Sequence, residues 1–143
     1  MATIIIDADN AILGRLAAYA AKRALMGDTV RVVNAEHAVV SGTPNTTVEE
    51  AKREHRMGVP RKGPFHFRMP DRHVRRVIRG MLPHKFPRGR TAFARVRCYI
   101  GTPVDLQGQK TVRAPGADAS KLPNMKRVTV GRICEELGGK HYD

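Results

Sequence analysis

Acidic residues, cysteines and long apolar runs are all scarce in this sequence. Its 143 residues include 13 Asp and Glu against 26 Lys and Arg, and only two cysteines. No apolar run approaches the ~18 residues that a membrane-spanning helix needs. The stretch from Met1 to Asp9 has neither the basic start nor the long apolar stretch of a secretory signal peptide. We therefore expect a cytoplasmic protein with no membrane partner, and the length fits a single domain over residues 1–143.

The scarcity of cysteine limits metal and redox chemistry. Cys98 and Cys134 are far apart and neither belongs to a C-x-x-C pair, so the spacing excludes a zinc ribbon. Two reduced, partly buried thiols are the expectation for a cytosolic chain, although the sequence leaves a bridge open. The central histidines lack the i, i+4 spacing of a helical zinc pair, and most lie among cations; they are His55, His66, His73 and His84. We expect no metal and no cofactor.

Signatures of catalysis are also missing. The sequence has no Walker loop, no G-x-G-x-x-G and no G-x-S-x-G. Asp7 and Asp9 could act as paired metal-binding carboxylates, but their position between a predicted strand and a predicted helix favours a helix-capping role. We therefore expect no catalytic residue and no small-molecule substrate, and we predict that the protein is not an enzyme.

Positive charge is abundant, and it is concentrated in one segment. The net charge is +13, and residues 52–97 hold fifteen Lys and Arg against two acids. The rest of the chain holds eleven bases and eleven acids, so the flanks are electrostatically balanced. Such an excess favours a polyanionic partner, with nucleic acid first and an anionic membrane surface second.

Outside the basic segment the apolar pattern predicts an α/β framework. Short β-branched runs predict strands, and apolar residues at helical spacing predict helices. The predicted strands are Thr3–Ile6, Val30–Val33, Ala38–Val40 and Val128–Val130, and the predicted helices run from about Ile12 to Ala24, from Thr43-Pro44 onward and from Gly131 to Leu137. Strands that alternate with helices imply a mostly parallel sheet covered by helices.

Glycine and proline interrupt the first part of the basic segment. Residues 55–70 contain two glycines and three prolines, so we predict an irregular loop. Phe65 and Phe67 lie in this loop among cations that we expect to contact nucleic acid, namely Arg61, Lys62 and Arg68.

Residues 70–82 predict a helix with two opposite faces. One face carries arginines at i, i+3, i+4 and i+7, which are Arg72, Arg75, Arg76 and Arg79. The other face carries an apolar stripe at the same spacing, which is Val74, Val77, Ile78 and Met81. The apolar stripe is suited to docking on a core, and the mutually repelling arginines are suited to gripping phosphates. The alternative is a solvated basic face.

The helix is followed by a basic turn. Pro83 and Pro87 are expected to end the helix and hold a rigid turn with exposed backbone at Gly89. We predict that its side chains bind RNA, with His84 as a stacking group and Lys85, Arg88 and Arg90 as cations. Phe86 has two interpretations that the sequence leaves open, a base-stacking ring or a hydrophobic plug. RNA fits better than duplex DNA, because no helix-turn-helix, zinc finger or zipper is readable and irregular basic loops suit an irregular polyanion.

Several motifs resemble the universal large-subunit ribosomal protein thirteen family over nearly the whole chain. The most specific is Arg79-Gly80-Met81-Leu82-Pro83 with Gly89 after a short basic spacer. The other similar motifs are Asn10-Ala11-Ile12-Leu13-Gly14-Arg15-Leu16, Val33-Asn34-Ala35-Glu36 and Ser41-Gly42. Gly63-Pro64-Phe65-His66-Phe67-Arg68 and Leu82-Pro83-His84-Lys85 are similar to the archaeal and eukaryotic branch. The long C-terminal extension typical of eukaryotic members is not in this sequence, so we expect an archaeal source.

The resemblance implies a three-layer α/β/α fold around a small, mainly parallel four-stranded sheet. It also implies binding to large-subunit ribosomal RNA, neighbouring large-subunit ribosomal proteins as partners, and a structural role in subunit assembly and translation. Two alternatives stay open at this point. One is a regulator that binds messenger RNA outside the ribosome, and the other is an RNA-processing enzyme that uses the same basic face.

Overall fold

A computed structural model describes residues 2–140. Their regular elements, in chain order, are β1 (Thr3–Asp7), α1 (Leu13–Leu25), β2 (Thr29–Val33), β3 (Val39–Ser41), α2 (Pro44–Arg56), α3 (Pro70–Gly80), α4 (Pro87–Ala94), β4 (Val96–Cys98), β5 (Arg127–Thr129) and α5 (Val130–Glu136). Three single turns of 3₁₀ helix complete them, at Ala35–His37, Val104–Leu106 and Ala119–Lys121. The mixed α/β class predicted from the sequence is confirmed. Within residues 2–140, no helix is long and apolar enough to cross a bilayer.

The sheet of the described residues has three strands, not the four that were predicted. Its order is β1-β2-β4 and all pairings are parallel. Beyond β1, the position of a further strand is taken by one isolated bridge between Ile6 and Val112. β3 leaves this sheet and pairs antiparallel with β5, with Val39 opposite Thr129. The predicted strand count was wrong because the sequence of β3 does not differ from that of a strand of the parallel sheet. Its pairing partner, β5, lies near the other end of the chain.

The change of sheet between β2 and β3 occurs at Asn34. Its φ is 57°, in the left-handed region that Asn tolerates better than most residues. Its side-chain amide donates to the Asp7 carboxylate at 3.0 Å. Asp7 Oδ1 also accepts from the Asp9 backbone amide at 3.0 Å. The carboxylate of Asp7 therefore fixes this crossing instead of capping α1, whose N-cap is Ile12 with no side-chain hydrogen bond.

The main core lies between the parallel sheet and three helices. Ile6, Val30, Val32 and Val96 on the sheet are completely buried, as is Leu16 on α1. Helix α1 packs against both α3 and α4 in this region, and α3 also contacts β4 and α5. A smaller apolar cluster joins α2 to α5 and β5. The basic helix α3 is therefore packed against the core of the domain.

Both cysteines are free, in agreement with the expectation of reduced thiols. Burial raises the pKa of Cys98 and of Cys134 to about 12. Because the thiolate is the reactive form, neither side chain is a nucleophile at neutral pH.

Candidate nucleic-acid interface

Helix α3 is held to the core by its apolar face. Val74 and Ile78 are completely buried, and Val77 is half-buried against the same cluster. Met81, which the sequence placed in this stripe, lies after the last turn of the helix and is 44% exposed. Leu82 is buried instead, because the chain turns back after Gly80. The four arginines of the opposite face are therefore displayed from an anchored element.

The four arginines are not equivalent. Arg72 and Arg79 are exposed, whereas Arg75 and Arg76 are half-buried. The Nε of Arg75 donates to the carbonyl oxygen of Val96 at 3.0 Å, and its Cζ lies 4.0 Å from the ring centroid of Phe93. Burial lowers the pKa of Arg75, and repulsion from Arg97 adds to the effect. Arginine nevertheless stays charged at neutral pH, so the result is a cation held over an aromatic ring.

Arg76 joins α3 to the loop that precedes it. Its Nη1 donates to the carbonyl oxygen of Phe65 at 2.5 Å. The ring of Phe67 lies near two cations, with its centroid 5.5 Å from Arg76 Cζ and 5.9 Å from Arg72 Cζ. The irregular loop predicted between α2 and α3 is confirmed for residues 57–69, and these contacts hold one end of it against the helix.

These side chains line one open groove of about 570 Å³. Its cations are Arg72, Arg75, Arg76, Arg79 and Arg97, and its aromatic rings are Phe67 and Phe93. Within residues 2–140, the side chains of Arg79 and Arg97 make no hydrogen bond or ion pair, so their guanidinium groups are available to a ligand. The groove combines cations with stacking surfaces, which is the combination that proteins use for single-stranded nucleic acid.

Arg97 and Phe93 were missed by the sequence analysis. The signal that could have identified Arg97 is the alternation of Val96, Arg97 and Cys98, in which Val96 is fully buried and Arg97 is exposed. Such alternation marks a strand with one outward-facing residue, but three residues are too few to recognise it without the pairing to β2.

The three predicted cations of the preceding loop lie outside this groove. Arg61 and Lys62 are exposed on a turn of the loop. Arg68 is also exposed, and its Nη2 lies 2.9 Å from Nε2 of His55 on α2. A histidine ring carries no negative charge, so this contact leaves the positive charge of Arg68 uncompensated.

The turn after α3 differs from the predicted one. Residues 81–86 turn, but Pro87 starts helix α4 at its first position, where proline needs no hydrogen-bonding partner. Gly89 is buried, not exposed, because the backbone of Pro83 covers it. The approach is so close that a Cβ at Gly89 would lie 1.9 Å from the carbonyl oxygen of Pro83. The turn therefore crosses directly over the first turn of α4.

The crossing leaves the predicted contact side chains at the surface. Lys85, Arg88 and Arg90 are exposed and His84 is half-buried. Arg90 donates from Nη2 to the carbonyl oxygen of Lys85 at 3.1 Å, which ties the turn to α4. Phe86 is 66% exposed, so the interpretation as a hydrophobic plug is wrong.

Comparison with known proteins places this chain in a family. The family model for ribosomal protein L13 matches residues 1–105. A large ribosomal subunit protein uL13 of Methanopyrus kandleri is 49% identical over 94% of this chain and 86% of its own length. Those of Haloarcula marismortui and Thermoplasma acidophilum are 44% and 40% identical, over 96% and 94% of this chain and 92% and 98% of their own. All three relatives are archaeal, which agrees with the similarity of residues 63–68 and 82–85 to the archaeal and eukaryotic branch of the family and with the expected archaeal source. The chain therefore belongs to the ribosomal protein L13 family, a family of structural proteins and not of enzymes.

Proposed function

We propose that this protein is a structural constituent of the large ribosomal subunit that binds large-subunit ribosomal RNA and supports subunit assembly and translation. The observation that carries the proposal is the arginine groove on a helix anchored to the core, in a chain whose relatives are named as large-subunit proteins. A constituent of this kind resides on cytoplasmic ribosomes. Its other partners are neighbouring proteins of the subunit.

The proposed RNA contacts are those predicted from the sequence, with one addition. They are Arg61, Lys62, Arg68, Arg72, Arg75, Arg76, Arg79, His84, Lys85, Arg88 and Arg90, to which Arg97 is added. Arg72, Arg79 and Arg97 act as direct phosphate ligands in this proposal. Arg75 and Arg76 also position neighbouring groups, because each of them already donates to a backbone carbonyl.

The proposal also includes the organisation of the chain. It treats residues 1–143 as one ribosomal-protein domain with a basic RNA-binding segment at 52–97. It retains the three-layer α/β/α arrangement, which is supported by the packing of α1 with α3 and α4 and of α2 with α5.

Salt dependence of RNA binding tests the phosphate contacts. Each phosphate that a cation neutralises releases counterions, so losing one contact lowers the slope of log K against log[salt] by about one. We expect this change for Arg72→Ala and for Arg79→Ala with large-subunit ribosomal RNA. Arg132→Ala is the matched control, because it removes an exposed cation from α5, outside the basic segment. An unchanged slope in both groove variants would contradict the proposed contacts.

Sedimentation tests the assignment to the subunit. The protein is expected to migrate with large subunits at low salt and to be released in 1 M salt, because electrostatic contacts dominate its affinity. Migration with messenger RNA at low salt, separate from the large subunits, would contradict the proposal.

A further inference from the structure

The groove contains more kinds of side chain than phosphate binding requires. Phosphate is held by cations alone, yet Phe67 is 38% exposed and lines the groove beside the arginines. An exposed aromatic ring in a highly charged groove is a surface on which a base stacks, because every base has a π-face. The ring therefore indicates a ligand that has a flat face as well as a charge.

Arg75 provides a second flat surface in the same groove. Its guanidinium lies on the ring of Phe93 and is fixed by the hydrogen bond from Nε to Val96. One further donor, Nη2, is directed at the carbonyl oxygen of Phe93 at 3.5 Å. A guanidinium plane held in this way is a stacking surface for a base, and little side-chain entropy remains to be lost when a base binds.

Asp71 also argues against a ligand made of phosphate alone. It lines the groove with the arginines, and its Oδ1 is buried with no hydrogen-bond partner among residues 2–140. A phosphate offers only acceptor oxygens and would repel this carboxylate. A nucleotide carries donors as well, in the amino groups of its base and in the ribose 2′-hydroxyl.

The size of the groove limits the kind of nucleic acid that enters it. A volume of about 570 Å³ is that of a small-molecule pocket. In a paired duplex the faces of the bases are covered by stacking, so only an unpaired nucleotide presents a face to protein.

We propose that the groove takes one unpaired nucleotide of the RNA. Its base stacks on the ring of Phe67 and on the guanidinium of Arg75, and its phosphates are bound by the free guanidinium groups of Arg79 and Arg97. This inference rests on the proposed function and specifies the ligand of its main site.

Chemical probing of large-subunit ribosomal RNA tests the inference with the full-length protein. Dimethyl sulfate and a carbodiimide report whether a base is accessible, and hydroxyl radicals report whether the backbone is covered. Wild-type protein is expected to protect at least one unpaired base inside its backbone footprint. Phe67→Leu keeps the charge and much of the apolar bulk but removes the ring. We expect it to restore the reactivity of that base by about tenfold, the size of one base-stacking contact, and to leave the backbone footprint intact.

Phe86→Leu is the control, because Phe86 is an exposed ring outside the groove, at 66% against 38% for Phe67. It is expected to leave the protected base unchanged. Equal urea midpoints for wild type and both variants ensure that unfolding is not the cause.

The possible results separate the inference from the proposed function. A backbone footprint without a protected unpaired base overturns the nucleotide site but keeps RNA binding. Protection that survives Phe67→Leu, or that is lost in Phe86→Leu instead, also overturns it. Absence of any footprint contradicts the proposed function itself.

Discussion

At the scale of single residues, Gly89 is a position where a neighbouring backbone segment leaves no room for a side chain. The residue is inside helix α4 and its φ is not in the left-handed region, so conformational freedom is not the reason for glycine here. The reason is space, because the carbonyl group of Pro83 occupies the position of a Cβ. The basic turn is fixed to α4 through this contact.

Gly89→Ala is therefore expected to destabilise the protein by about 2–4 kcal/mol, since a backbone shift is needed to relieve the clash. Gly80→Ala is the control: it ends α3 with no atom within 4 Å of the new Cβ, and alanine is the better helix former. We expect a change within about 1 kcal/mol there. The unfolding midpoint in urea measures both, and equal midpoints would contradict the close approach.

His73 makes stability depend on pH. Burial lowers its pKa from the ordinary value of 6.5, and repulsion from His66 and Arg76 adds to this, whereas attraction to Glu54 partly opposes it. The unfolded chain then binds a proton at a higher pH than the folded chain does. The contribution is present above pH 6.5 and is lost as the pH falls through the lowered pKa.

We expect His73→Gln to reduce the loss of unfolding free energy between about pH 7 and pH 5, because glutamine does not titrate. Urea denaturation of both proteins across this range measures the difference in slope. Parallel pH profiles for the wild type and the variant would show that His73 does not contribute.

At the scale of elements, α3 connects the fold to the proposed function. Its apolar face contributes to the core through Val74 and Ile78, and its other face forms the arginine groove. A helix that folded only on RNA would have no such buried face in the free chain. Anchoring therefore keeps the arginines at fixed spacing before RNA is bound.

Ile78→Ala is expected to lower the free energy of unfolding by about 2–5 kcal/mol, because a fully buried side chain leaves a cavity. Met81→Ala is the control, and its exposed side chain predicts less than about 1 kcal/mol. RNA affinity is expected to fall in Ile78→Ala although no charge is removed. A urea midpoint equal to that of the wild type would reject docking of α3 on the core.

At the scale of the whole molecule, the net positive charge is confined to one segment of the chain, residues 52–97. Residues 57–62 are all exposed, and the loop to which they belong is attached to the helices by Arg68 and Arg76. Dense positive charge and few buried apolar groups disfavour order in such a segment when no RNA is present. The residues outside 52–97 hold eleven bases and eleven acids, and they supply most of the buried apolar side chains.

We predict that trypsin cuts the free protein first between Arg56 and Arg68, while the α/β core survives. Large-subunit ribosomal RNA is expected to protect these bonds. Gel electrophoresis and mass spectrometry of the early fragments identify the sites. Strong protection of this segment without RNA would contradict the prediction.

The sequence by itself determined the features that depend on neighbouring residues. The periodicity of residues 70–82 predicted both faces of α3, and Asn34 marked the break between β2 and β3. The concentration of charge in residues 52–97 predicted a polyanionic partner. These patterns are local, so the apolar spacing and the turn residues were sufficient to find them.

Only the tertiary structure decided which distant residues meet. β3 pairs with β5 near the other end of the chain, so the sheet has three strands instead of four. Arg97 enters the groove because β4 pairs beside β2, and Phe93 supports Arg75 because α3 and α4 both pack against α1. Gly89 is buried because a turn six residues earlier crosses it. Apolar periodicity shows which face of an element is buried but not which element covers it, and for this reason these contacts followed only from the packed chain.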